Sequence, residues 1–171
     1  MKQELLKSDL RSQRSLVEER LEHVTDIDAY QTLHNKILEV RDCGEVTFCI
    51  AARTTSTSSV KALLDDFVVR FNFFGLADGW KEIDLVAAKQ IVSEIIFRDL
   101  AHGTQMTTGE HACLLAEEFL GIFEQSRFFT NAIFENGTLS TWYPVSKSTF
   151  DTGVVCLDDT KIGILWVQDE D

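Results

Sequence analysis

Residues 132–142 read AIFENGTLSTW, and they are the most informative stretch of this 171-residue chain. Asn136-Gly137 at its centre is a strong short-range hairpin signal, because both residues tolerate the positive φ of a type I′ turn. Counting back from that turn places Phe134 opposite Leu139 and Ala132 opposite Thr141, on one face. Further on, Val154 to Leu157 and Ile162 to Val167 read as a second pair of strands around Asp158-Asp159-Thr160-Lys161. Before residue 130 the apolar spacing is mainly helical. Helices first and antiparallel strands last is an α+β pattern. The expected body is an antiparallel sheet of about four strands packed on central helices.

The helical part begins with residues 2 to 42, which read as two helices. Leu6, Leu10, Gln13, Val17, Leu21 and Val24 recur at steps of three and four and line one face. Thr25 or Asp26 can cap a second helix with the stripe Ile27, Tyr30, Leu33, Ile37 and Val40, closed by Cys43-Gly44. The expected organisation is one domain, 1–171, with a helical hairpin (1–42) appended to an α+β body (43–171). Val46 to Ala52 is apolar and rich in β-branched residues, hence strand-like. The polar run Thr54 to Ser59 reads as a loop, with Ser58 or Ser59 capping a helix through Phe71. Leu76 to Trp80 is a turn with an aromatic tip. Asp84 caps a wide-faced helix, Leu85 to Leu100, and Thr107-Thr108-Gly109-Glu110 fits a capping box opening a helix to about Glu124. Ile95, Phe119, Leu165 and Trp166 are the expected centre of the core.

Composition excludes several functions. Acidic residues number 28 against 16 Lys plus Arg, a net charge of −12. Nucleic-acid contacts need clustered cations, and so does docking to anionic lipid, so neither is an expected partner. The N-terminal stretch has no apolar core of a secretory signal, and no run approaches a membrane span, so a cytoplasmic location is expected. Cys43, Cys49, Cys113 and Cys156 show no paired spacing and read as reduced thiols.

No motif survives as a catalytic signature. Phe150-Asp151-Thr152-Gly153 matches the Asp-Thr-Gly loop of aspartic proteases, but no Gly-rich flap follows and only 18 residues remain after Gly153. The tetrapeptide reads as the start of a strand, with Asp and Gly in a turn role. His102, His111 and Cys113 match no zinc spacing. A site assembled from Asp78, Asp99 and Asp151 is the enzymatic alternative. The expectation is no catalytic residue, no metal, no cofactor and no small-molecule ligand.

Charge is the remaining signal. Residues 99–171 hold 12 Asp plus Glu and 3 Lys plus Arg, net −9. Asp158 and Asp159 fall at a hairpin tip, and Asp169, Glu170 and Asp171 end the sequence. A negative face of this kind suits a basic protein partner. Trp80 and Trp142 sit beside polar residues in turn or strand-end contexts, and aromatic residues are frequent interface anchors. The expected partner-binding set is therefore Asp158, Asp159, Asp169, Glu170, Asp171, Trp142 and Trp80.

The stretches Ser148-Thr149-Phe150-Asp151-Thr152-Gly153-Val154 and Lys161-Ile162-Gly163-Ile164-Leu165-Trp166, with the acidic terminus after them, give the chain a likeness to a known class. It resembles the small acidic immunity proteins of bacterial contact-dependent growth inhibition and other polymorphic toxin systems. That resemblance implies an inhibitor of one cognate toxin domain, a basic nuclease, with acidic side chains standing in for phosphates. An acidic regulatory or adaptor domain is the alternative.

Overall fold

The computed structural model describes residues 27–53, 59–135 and 138–171. The first expected helix, most of the Thr54–Ser59 loop and the Asn136-Gly137 turn itself lie outside the described residues. The chain divides into two compact units, Met1–Thr32 and Leu33–Asp171, and the second holds the sheet.

In chain order the elements are α1 (Ile27–Val40), β1 (Glu45–Ala52), α2 (Val60–Val68), β2 (Lys81–Ile83), α3 (Leu85–Phe97), α4 (Gly109–Leu120), β3 (Arg127–Thr130), β4 (Ala132–Glu135), β5 (Thr138–Trp142), β6 (Phe150–Leu157) and β7 (Lys161–Asp169). Two short 3₁₀ turns, Val69–Phe71 and Ala77–Gly79, lie between α2 and β2. The fold is α+β. Its main sheet has five antiparallel strands in the order β1-β7-β6-β3-β2, and β4-β5 form a separate two-stranded hairpin.

The count of about four strands is corrected here, and the reason is burial. β3 carries Phe128-Phe129, which point to opposite sides of the sheet, 6% and 3% exposed. A strand covered on both faces loses its polar alternation and reads as a plain apolar run. β6 and β7 show the same continuous burial. Hence there are two cores. On one face Leu33 and Ile37 of α1, Ile91 and Ile95 of α3, and Leu115 and Phe119 of α4 pack on Phe128, Val154, Cys156, Leu165 and Val167. On the other, Leu64 and Phe67 of α2, with Phe73 and Trp80, pack on Phe129, Val155, Ile162, Ile164 and Trp166. Leu33 and Ile37 thus belong to the core of the body, so the C-terminal part of α1 is no mere appendage.

The hairpins form where the turn chemistry puts them. β6 and β7 pair with Leu157 opposite Ile162. In the β4-β5 hairpin Phe134 faces Leu139 as counted, but a register shift between Ile133 and Phe134 brings Ala132 opposite Trp142 rather than Thr141. Ser59 and Asp84 cap α2 and α3 through the N–H groups of Ala62 and Ala87. The cap of α4 is Thr108, which accepts from His111 N, one residue later than expected.

Gly153 is not a turn residue. It lies inside β6 opposite Trp166, where a Cβ would come within 2.2 Å of the Leu165 carbonyl oxygen and 2.6 Å of the Trp166 Cα. Only a glycine admits so close an approach of neighbouring backbone.

Candidate acidic cleft and apolar groove

The structure redistributes the residues expected to meet a partner. Asp158 is 5% exposed, and its position at a hairpin end is structural. Its carboxylate accepts from the N–H groups of Thr160 and Lys161 and from the Thr160 hydroxyl, and its second oxygen accepts from Glu124 N. Lys161 Nζ stands 3.5 Å away. Burial pushes this carboxyl up, yet the hydrogen bonds outweigh it and hold it below the ordinary value. Asp169 is 3% exposed and ion-paired with Arg41, itself buried. Its second oxygen accepts from Leu100 N at 2.7 Å. Trp80 is 4% exposed: its indole N–H donates to Asp65 at 2.7 Å and its ring lies edge-on to Trp166. The aromatic tip is a core anchor. These three residues are corrected out of the exposed set, because each is spent on internal contacts. Asp159, Glu170 and Asp171 are exposed as expected. Trp142 ends β5, and its side chain lies outside the described ones.

What Asp169 and Glu170 do instead is close one end of a polar cleft of about 470 Å³. Its other walls are Asp42, Cys43 and Gly44 at the α1–β1 turn, and Asp99, His102 and Thr104 in the connection from α3 to α4. Sequence spacing could not join these residues, because three separate segments meet here. Gly44 has φ +68°, and a Cβ there would strike the Asp169 carboxylate, so the turn requires glycine. Arg41 lies beneath, donating to the carbonyls of Ile95 and Arg98 and to Asp169. It neutralises Asp169 and ties α1, α3 and β7 together. Asp99 closes its own loop by accepting from His102 N at 2.6 Å and Thr104 N at 2.7 Å. Burial pushes the Asp99 carboxyl up, but the hydrogen bonds from His102 and Thr104 bring it below the usual range. Glu170 accepts from the Thr149 hydroxyl at 2.8 Å and is also held low, first by that bond. Asp99 and Glu170 are thus both held below the usual carboxylate range, while Asp169 is paired with the buried Arg41.

A second concavity follows directly along the chain. Phe97, at the end of α3, lines an apolar groove of about 610 Å³ between α3 and α4, and Asp99 two residues on lines the cleft. Leu85 and Val86 also line the groove, and both are more than half exposed, as is Leu114 on α4 nearby. The ion pairs Lys89–Glu117 and Glu94–Arg98 flank it.

Of the enzymatic candidates Asp99 lines the cleft, while Asp78 and Asp151 line neither concavity, so the three do not meet. Asp151 is 1% exposed and accepts from Asn131, from the N–H groups of Val145 and Ser146, and from the Ser146 hydroxyl. It pins the 143–146 segment to β6. Asp78 is fully exposed and paired with Lys61. Among the described residues no group of three or more His, Cys, Asp or Glu side chains is placed to hold a metal ion, and no helix is long and apolar enough to cross a membrane. Comparison of the chain with protein-family models, with curated proteins and with solved structures finds no match.

Proposed function

We propose that this chain is an immunity protein, which binds one cognate bacterial toxin domain, a basic nuclease, and covers its nucleic-acid groove. The observation that carries the reading is the acidic cleft adjoining the apolar groove. A protein interface needs a desolvated apolar centre and a charged border that steers the encounter. Leu85, Val86 and Phe97 supply the first; Asp42 and Glu170, with Asp171 beside them, supply the second. Carboxylates of this kind take the Lys and Arg side chains that a nuclease offers to phosphate. The chain works by binding, without cofactor or metal. No observation favours the adaptor alternative specifically.

The burial of Asp158 dictates which residues test this. Reversing it would break a turn, so Asp42 and Glu170 are the charges to reverse. The measurement is binding kinetics against the product of the toxin gene adjacent to this chain's own gene, at two salt concentrations. Asp42→Lys with Glu170→Lys is expected to slow association about tenfold or more and to remove most of the salt dependence, because screening acts over about 10 Å at 0.1 M. Val86→Asp in the groove is expected to speed dissociation instead. No complex with that toxin rejects the immunity assignment. A tight complex indifferent to salt and to the charge reversal rejects the acidic cleft as its binding surface.

A further inference from the structure

β1 is the edge of the main sheet, and it is eight residues long with the sequence EVTFCIAA. Proteins usually blunt such an edge with proline, a bulge or inward-pointing charges. β1 has no proline, and its pairing to β7 runs without a shift from Glu45 to Ala52. The outward groups can be assigned. Arg53 N donates to Thr160 O, so odd-numbered residues direct their backbone groups at β7. Val46, Phe48, Ile50 and Ala52 therefore present one N–H and one C=O each to an edge with no neighbouring strand among the described residues.

The geometry points to a second copy of this chain as the occupant, paired antiparallel through β1 about a two-fold axis. Only even residues face outward, so even residues must pair with even residues. The register that uses all four sets Val46 opposite Ala52 and Phe48 opposite Ile50, each twice by symmetry. It then sets Glu45 of one copy opposite Arg53 of the other at both ends of the ladder. Both side chains have capacity left: Glu45 is exposed and accepts only from Gln168 among the described residues, and Arg53 has donors beyond the Nη1 that bonds Asp158 O and stands 3.9 Å from the Asp159 carboxylate. Cys49 falls on the axis, facing its own copy in a non-hydrogen-bonded pair, where Cα atoms approach to about 4.5 Å. The surface is self-complementary, as a two-fold interface demands. The side chains of β1 are already committed to the two cores, so the edge is offered as rigid backbone. This pairing is independent of the toxin-binding reading, since no residue of β1 lines the cleft or the groove.

The test is sedimentation equilibrium of the full chain from micromolar to millimolar concentration. Wild type is expected to show a monomer–dimer equilibrium. Ala52→Pro removes an outward N–H without touching a bond to β7, and is expected to leave a folded monomer. Glu45→Lys is expected to weaken dimerisation about tenfold or more at low salt, since it opposes two Lys to two Arg. Glu45→Lys with Arg53→Glu is expected to restore it, which a mere effect on folding would not do. In a Cys43→Ser, Cys113→Ser background, diamide takes one hydrogen from each facing Cys49 thiol, is reduced to its hydrazine, and leaves an intermolecular disulfide. A monomer at every concentration overturns the proposal, as does a dimer that persists through Ala52→Pro or that the double swap fails to restore. A dimer in which Cys49 never cross-links overturns the register.

Discussion

Buried carboxylates govern how this protein responds to acid. Asp158 and Asp99 both carry several N–H donors and are held below the ordinary carboxylate value. A group whose folded pKa is depressed adds stability that is fully present above its unfolded value, near 3.8, and is lost as pH falls through the lower folded value. The contribution of these two groups is therefore expected to be level from neutral pH to about pH 5 and to fall below about pH 4. Asp158→Asn keeps the shape of the side chain but cannot ionise. It is expected to cost about 1–3 kcal/mol at pH 7 and less at pH 3. Denaturant midpoints at the two pH values check this, and an equal loss at both would show that charge on Asp158 adds nothing. The same residue marks a limit of sequence reading. Asp158 and Asp159 are adjacent acids at a hairpin tip, and one is 5% exposed while its neighbour is fully exposed. Bonds from Thr160 and Lys161 fix Asp158 locally, but its second oxygen is covered by Glu124 N in the segment after α4, 34 positions away, which spacing does not show.

Elements with local causes were legible, and elements with distant causes were not. Ser59, Asp84 and the β6-β7 turn each act through neighbours within a few residues, and each stands where spacing placed it. β3 was missed because its two phenylalanines serve two cores, and β2 because three residues are too few to show a period. The cleft was invisible for the same reason: its walls are brought together by the Arg41–Asp169 pair, 128 residues apart. A near miss at α4 supplies a sharp test of cap position. Thr107-x-x-Glu110 suggested one cap, yet Thr108 accepts from His111 N while the Thr107 hydroxyl contacts the His111 ring. Thr108→Ala is expected to cost about 1 kcal/mol and Thr107→Ala a few tenths, by thermal or denaturant unfolding. The reverse order would place the helix start one residue earlier.

A sheet buried on both faces makes the two cores one thermodynamic object. Val154 and Val155 are neighbours on β6, each 0% exposed, with one facing the α1–α3–α4 side and the other the α2 side. β7 does the same with Leu165 and Trp166. Loss of one layer exposes the strands that hold the other, so neither core has a folded partner to retreat to. Two of the three tryptophans make this measurable, since Trp80 and Trp166 lie in the α2-side core, 6.2 Å apart between rings. Phe119 lies on the opposite face, packed edge-on to Phe123 and tilted against Phe48. Phe119→Ala is expected to destabilise by about 3–5 kcal/mol. The decisive quantity is where that loss appears. If the sheet couples the cores, tryptophan fluorescence shifts its unfolding midpoint by as much as circular dichroism does, in one transition. A fluorescence midpoint that stays at the wild-type value while the helical signal is lost earlier would show two independently stable layers. It would also sink the packing of α4 against the sheet as the source of its order. Coincident transitions would mean that any partner bound at the cleft or groove stabilises the α2-side core as well, although it touches none of it.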